Sequence, residues 1–162
     1  MGLTTLKDLY VAELQEARSF EGQIAKAVGP LADAAQNSRL KAILEDERPE
    51  AVHHGERVTA LLERQDADPR AHEDQAMRAI LDEAVKWAGE IDDPAVRDAA
   101  IIASVQRIQH YEIAAYGALA AWARQQRLDD DLETLTAILE AEKSADAKLT
   151  EIARDTVNAE AA

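Results

Sequence analysis

The stretch Ile101–Trp122, IIASVQRIQHYEIAAYGALAAW, decides the fold. Taken in steps of three and four, it places Ile101, Val105, Ile108, Glu112, Ala115, Leu119 and Trp122 on one line along a helix. Every member is apolar or small except Glu112, in the middle. A carboxylate desolvated in a hydrocarbon seam costs several kcal/mol unless a partner compensates it. The rest of the chain must therefore supply something that satisfies Glu112.

The surrounding sequence supplies more acids at the same depth. A first helix, capped at Thr4 or Thr5 and running to about Ala35, has the inward line Tyr10, Leu14, Ala17, Glu21, Ile24, Val28 and Leu31, with a bend expected at Gly29-Pro30. After the polar turn Gln36-Asn37-Ser38, a second helix over Ser38–Arg64 carries Leu40, Leu44, Glu47, Ala51, His54, Val58 and Leu61, flanked by Glu50. Glu50 lies about 60° from Glu47 and about 40° from His54 around the helix, so the three share a face. Pro49 is expected to kink this segment, which leaves either His53 or His54 as the inward histidine; the phase favours His54. A polar loop, Gln65–His72, leads to a short amphipathic helix over about Glu73–Ile91, with Met77, Ile80, Leu81, Ala84 and Trp87 on its apolar side. Asp93 and Pro94 then start the third long helix, Pro94–Arg127, as cap and first helical residue. The last helix, about Asp130–Asn158, carries Leu135, Ile138, Glu142, Ala145, Leu149 and Ile152, with Asp146 beside Glu142.

Four long helices and one short connecting helix predict an all-α, single-domain four-helix bundle over residues 1–162. All four long helices place an acid in the apolar seam near mid-length. Acids from two helices, with a Glu and a second ligand from each of the other two, are the pattern of ferritin-like di-iron carboxylate bundles. In that pattern Glu21 and Glu112 are single donors, Glu50 and Glu142 bridge, His54 and Asp146 follow one turn on, and Glu47 is a further candidate. Carboxylates suit the task because they neutralise two closely spaced cations and leave positions open for dioxygen or peroxide. Taken singly, each acid has a plainer reading as a seam-edge residue or half of a surface ion pair.

Composition narrows the alternatives. The chain has 162 residues, 32 acidic against 18 basic, and a net charge of -14. So negative a surface repels nucleic acid and anionic membrane and attracts cations. There is no cysteine, so a metal would be held by oxygen and imidazole. The beginning, MGLTTLKDLY, has no apolar signal core, and no run approaches the roughly 20 apolar residues of a membrane span, which gives a cytoplasmic expectation.

The runs TLKDLYVAELQEARSFEGQI, LEDERPEAVHHGERV, DPAVRDAAIIASVQRIQHYEIAAYG and LEAEKSADAKLTEIA resemble, in this order, the YciE/YciF-type ferritin-like proteins, which are bacterial and often stress-associated. The resemblance covers nearly the whole chain. It implies a ferritin-like bundle, a di-metal centre and a dimer, with the family's acids falling on Glu21, Glu50, Glu112, Glu142 and Asp146. The chain departs from the family pattern at three places. Glu47 stands where His is usual, Gln109 replaces the first acid of an E-H-Y-E run, and Pro49 replaces a helix-favouring residue. These departures bear on the metal's identity, affinity and redox activity.

The expected function is therefore a di-metal protein holding two iron ions, with manganese as the alternative, in a homodimer without nucleic-acid or membrane partners. Peroxide or dioxygen is the expected co-reactant, and a ferroxidase- or peroxidase-like activity is left open. The rival is a metal-free structural or interaction bundle whose site has decayed.

Overall fold

The computed structural model describes residues 2–162. Its helices are α1 (Leu6–Ala34), α2 (Ser38–Arg64), α3 (Gln75–Glu90), α4 (Pro94–Gln126) and α5 (Asp129–Ile152). From α5 the chain passes through a π-helical turn, Ala153–Val157, into a last helical turn, Asn158–Glu160. There is no strand among the described residues.

Helix starts follow from side chains that take up the orphan N–H groups of a first turn. Thr5 and Asp8 form a reciprocal capping box on α1. Asn37 accepts from the Arg39 and Leu40 amides on α2, Asp74 from Met77 on α3, and Asp93 from Ala95 and Val96 on α4. α5 has no side-chain cap, but Asp129, Asp130 and Asp131 lie at its positive dipole end. Arg127, in the left-handed conformation with φ 60° and ψ 37°, stops α4.

The long helices close a ring in which α1 packs on α2 and α4, and α5 packs on α4 and α2. Polar contacts fix their directions. Arg39 pairs with Glu151 at one end of α2 and α5, and Arg64 with Asp131 at the other, so these two helices are antiparallel. α3, lying in the long crossover from α2 to α4, packs on α1 and α4. This is the expected four-helix bundle with a short extra helix between the second and third long ones.

Neither internal proline ends its helix: α1 continues past Pro30 and α2 past Pro49. Pro49 leaves the phase intact, with His54 buried and His53 exposed. One inward assignment needs correction. Trp87 is 40% exposed, and the Lys86 ammonium lies 4.9 Å from its ring centroid; Met77, Leu81 and Ala84 are the buried residues of α3. The wide Trp87 ring sits near the end of a short helix, where lysine can cover it at less cost than the core can accommodate it.

The apolar core falls into two clusters. On α2 the division lies between Leu44 and Ala51, where Glu47 sits. On α5 it lies between Ile138 and Leu149, where Glu142 sits. On α1 and α4 the division falls instead between Val28 and Leu31 and between Val105 and Ile108, so Glu21 and Glu112 lie within the first cluster; together the four buried acids form a polar belt near mid-length.

Candidate metal centre

Each long helix brings one acid to the belt: Glu21 from α1, Glu47 from α2, Glu112 from α4 and Glu142 from α5. All are buried, Glu21 at 0% and Glu112 at 1% exposure. Glu47, Glu112 and Glu142 each offer a carboxylate oxygen within 4.8 Å of the others. His54, one turn or more beyond Glu47 on α2, places Nδ1 3.1 Å from Glu142 Oε1 and 3.7 Å from Glu21 Oε1. The Tyr116 hydroxyl donates a hydrogen bond to Glu21 Oε1. α2 passes close to α1 here: a Cβ at Gly55 would stand in ordinary van der Waals contact with the Glu21 Cβ, at 3.4 Å.

The electrostatics are one-sided. Burial pushes the Glu47 carboxyl up to about 8, and the charges of Glu142 and Glu50 add to the shift while Lys148 opposes it. Glu112 is raised well above the usual carboxylate range by burial, then by Glu142, Glu21 and Glu47. Glu21 is raised by burial against the opposing Tyr116 hydrogen bond, with Glu142 and Glu47 adding to the rise. No Lys or Arg is buried among the described residues. Four carboxylates and one imidazole therefore share a buried space, with no Lys or Arg buried beside them among the described residues.

Hydrogen bonding is incomplete in the same place. Glu21 Oε2, Glu112 Oε2 and Glu142 Oε2 have no partner among the described residues, and neither has either polar atom of the Gln109 amide. Folded proteins leave few buried polar atoms unpaired, because each costs about 1–3 kcal/mol. Oxygen donors at close range, unpaired and without a countercharge, fit divalent metal ions.

Two of the seven expected ligand positions lie outside this group. The Glu50 side chain is 62% exposed and meets His54 only from the outside, with Oε2 3.7 Å from Nε2. Asp146 faces α4, accepting from Gln106 Nε2 at 3.0 Å and pairing with His110 Nε2 at 3.1 Å. In return the structure adds Gln109, fully buried one turn before Glu112. The periodicity missed it because the inward line passes through Ile108; the alternative steps Val105, Gln109, Glu112 and Tyr116 also run inward. Tyr116 is on that second line, and its bond to Glu21 depends on how α1 and α4 pack.

With this geometry in view, similarity to known proteins is informative. The family described as "Domain of unknown function (DUF892)" matches residues 5–162. The chain belongs to the DUF892 family. Protein YciF of Escherichia coli strain K12 is 33% identical over 162 residues, covering 99% of this chain and 98% of its own. The crystal structure of that E. coli stress protein superposes with a TM-score of 0.91, covering 96% of this DUF892 chain and 98% of YciF. YcfI of Rhodopseudomonas palustris, for which a structural role has been suggested, gives 36% identity and a TM-score of 0.87 over 91% of this chain and 94% of its own. A Xanthomonas campestris protein at 19% identity and TM-score 0.74 shares the fold alone. The resemblance to YciF-type proteins is therefore established over the whole DUF892 domain. Among the described residues no helix is long and apolar enough to cross a membrane.

Proposed function

We propose that this DUF892 protein is a di-metal carboxylate protein, with iron as its metal and manganese as the alternative. Glu21, Glu47, His54, Glu112 and Glu142 would hold the ions. The observation that carries this reading is the unbalanced belt, in which four buried carboxylates meet one histidine and no buried cation. Two divalent ions would offset the four negative charges and take up the unpaired oxygens. Bound iron would supply one-electron chemistry toward peroxide or dioxygen, and the E. coli relative's designation as a stress protein supports that direction.

The protein's own contribution is positional. Tyr116 fixes one oxygen of Glu21 and leaves the other free. The His54 ring is held between Glu21 and Glu142, and the four acids are buried. We place the protein in the cytoplasm as a homodimer, acting without nucleic acid or membrane; its charge of -14 supports the last two points.

The second reading is a metal-free structural bundle. It is favoured by Glu50 and Asp146 lying outside the buried group, and by the structural role suggested for the R. palustris relative. An anaerobic Fe(II) titration of chelator-treated protein separates the two. Saturation at about two irons per chain is expected. Absence of stoichiometric binding of Fe(II) or Mn(II) would refute the di-metal reading.

A further inference from the structure

We propose, resting on the di-metal reading, that Gln109 is a neutral oxygen donor of the metal centre and restricts it to divalent ions. Gln109 is fully buried, and neither end of its amide has a hydrogen-bond partner among the described residues. A primary amide carries two N–H donors and a carbonyl acceptor, and a core residue that makes none of these bonds is a costly one. Methionine would fill nearly the same space with no such bonds to make. Packing therefore accounts for the bulk of Gln109 but not for its amide.

Helix directions put this amide at the depth of the belt. Asp98 of α4 accepts from the Gln36 and Asn37 amides just before α2, so α2 and α4 start at the same end of the bundle and run parallel. At about 1.5 Å per residue, Gln109 lies about 16 Å along α4 from Asp98, and Glu47 about 15 Å along α2 from Asn37. The two share a level. Glu112 lies about 4.5 Å further along α4, and His54 about 10 Å beyond Glu47. On α5, which runs against α4, Asp146 pairs with Gln106 and His110, so Glu142, one turn earlier, falls at the Glu112 level.

The belt thus has two ends. At one, His54 Nδ1 stands 3.7 Å from Glu21 Oε1. At the other are Glu47 and Gln109. Between them are Glu112 and Glu142: Glu142 Oε1 is 3.1 Å from the His54 ring, and both acids offer an oxygen within 4.8 Å of one from Glu47. Each end therefore has one carboxylate of its own, one neutral donor and a share in two further carboxylates. That is two negative charges for each ion, the balance a divalent cation needs. A carboxylate at position 109 would add a fifth negative charge and favour a trivalent ion, whereas an amide adds an oxygen without charge. The plain alternative is an amide bonded to trapped water, with no part in metal binding.

Mn(II) is the probe, added to chelator-treated parent, Gln109→Met and Gln109→Glu, with bound metal counted by equilibrium dialysis and electron paramagnetic resonance recorded. The parent is expected to bind about two ions per chain, with an exchange-coupled spectrum. Gln109→Met should keep the ion at the His54 end and hold the other about 10–100-fold more weakly, leaving the hyperfine pattern of an isolated ion. Without metal the same variant should melt no lower than the parent, because it loses an unpaired amide and keeps its volume. Gln109→Glu should restore the second ion and shift competition between Mn(II) and redox-inert Ga(III), supplied as its citrate complex, toward Ga(III) by about tenfold or more. Should Gln109→Glu fail to fold, Gln109→Met still decides whether the amide is a donor. Two ions held by Gln109→Met as tightly as by the parent, or both weakened alike, overturns the role of Gln109 and leaves the di-metal reading standing. An unchanged preference between Mn(II) and Ga(III) in Gln109→Glu overturns the selection of divalent ions. Failure of the parent itself to bind Mn(II) overturns both readings.

Discussion

Raising the pH of metal-free protein from about 5 to about 8 should destabilise it, the opposite of ordinary acid denaturation. The cause is the belt. Glu47 is pushed from 4.5 to about 8 in the fold, chiefly by burial. A carboxyl whose folded value is raised binds its proton more tightly when folded. Its contribution is complete below the unfolded value and is lost as pH climbs toward the folded one. At about 1.36 kcal/mol per unit, Glu47 alone accounts for about 5 kcal/mol over that window. Glu21 and Glu112, also raised, act in the same direction. Domains have only about 5–15 kcal/mol in total, and at about 2–4 °C per kcal/mol a chain of this size should lose about 10–20 °C in Tm. The assay is a series of thermal melts followed by circular dichroism, with chelator or with excess Mn(II). With metal bound the carboxylates are ionised and compensated, so the downward slope should vanish, and metal at 100 times its Kd adds about 2.7 kcal/mol. Glu47→Gln should flatten the chelator series by removing its share. A metal-free Tm that stays level or rises between about pH 5 and about pH 8 would refute the electrostatic account of the belt.

Three further outcomes are expected. Glu112→Ala and Glu142→Ala should each abolish stoichiometric metal binding while far-UV circular dichroism keeps its helical signal; two variants that bind metal as the parent does would move the site elsewhere. Glu50→Ala and Asp146→Ala should leave metal stoichiometry unchanged, because neither carboxylate joins the buried group; loss of an ion in either variant, measured by elemental analysis, would bring that residue back as a ligand. Asp98→Ala should cost about 2–3 kcal/mol in urea denaturation, since its buried carboxylate accepts from the Gln36 and Asn37 amides at 2.9 and 2.7 Å and its removal leaves both N–H groups unpaired. An effect well under about 1 kcal/mol would show that water replaces those bonds.

The helices were readable because their signals are local. Asp93-Pro94 starts α4 as the spacing predicts, and the inward lines through Leu14, Leu44, Ile101 and Leu135 are buried apart from Trp122 and Ala145, which are half-buried. Depth was readable too, since an acid interrupting an apolar line must lie where that line lies. Azimuth was not. Glu50 shares a face with Glu47 and His54 on a helical wheel, yet only the packing of α1 and α5 on α2 decides which part of the face is enclosed, and it leaves Glu50 outside. Asp146 follows Glu142 by one turn, but Gln106 and His110 on α4 offer it nearer partners, and which α4 residues face α5 is a tertiary fact. Gln109 shows the converse case. Its place on a second inward line was present in the sequence, but a neutral amide does not stand out among apolar residues as a carboxylate does.

The two readings of the belt now differ in a physical rather than a historical sense. In a structural bundle without metal, Glu21, Glu47 and Glu112 are held largely protonated by burial, because no Lys or Arg is buried among the described residues to compensate them. Near neutral pH such a bundle would hold a cluster of carboxylic acids able to bond one another, and its stability would fall with alkali whatever metal was offered. In a metal protein the four acids of the belt are ionised, and the energy that opposes their burial becomes affinity for cations, since each oxygen left unpaired in the empty fold is a ligand already in place. The Tyr116 hydroxyl suits either form, since a phenol donates to a carboxylate and accepts from a carboxylic acid. What separates the forms is Glu21 Oε2, which this bond leaves free: it is an unpaired polar atom in the metal-free bundle and a ligand in the metal protein.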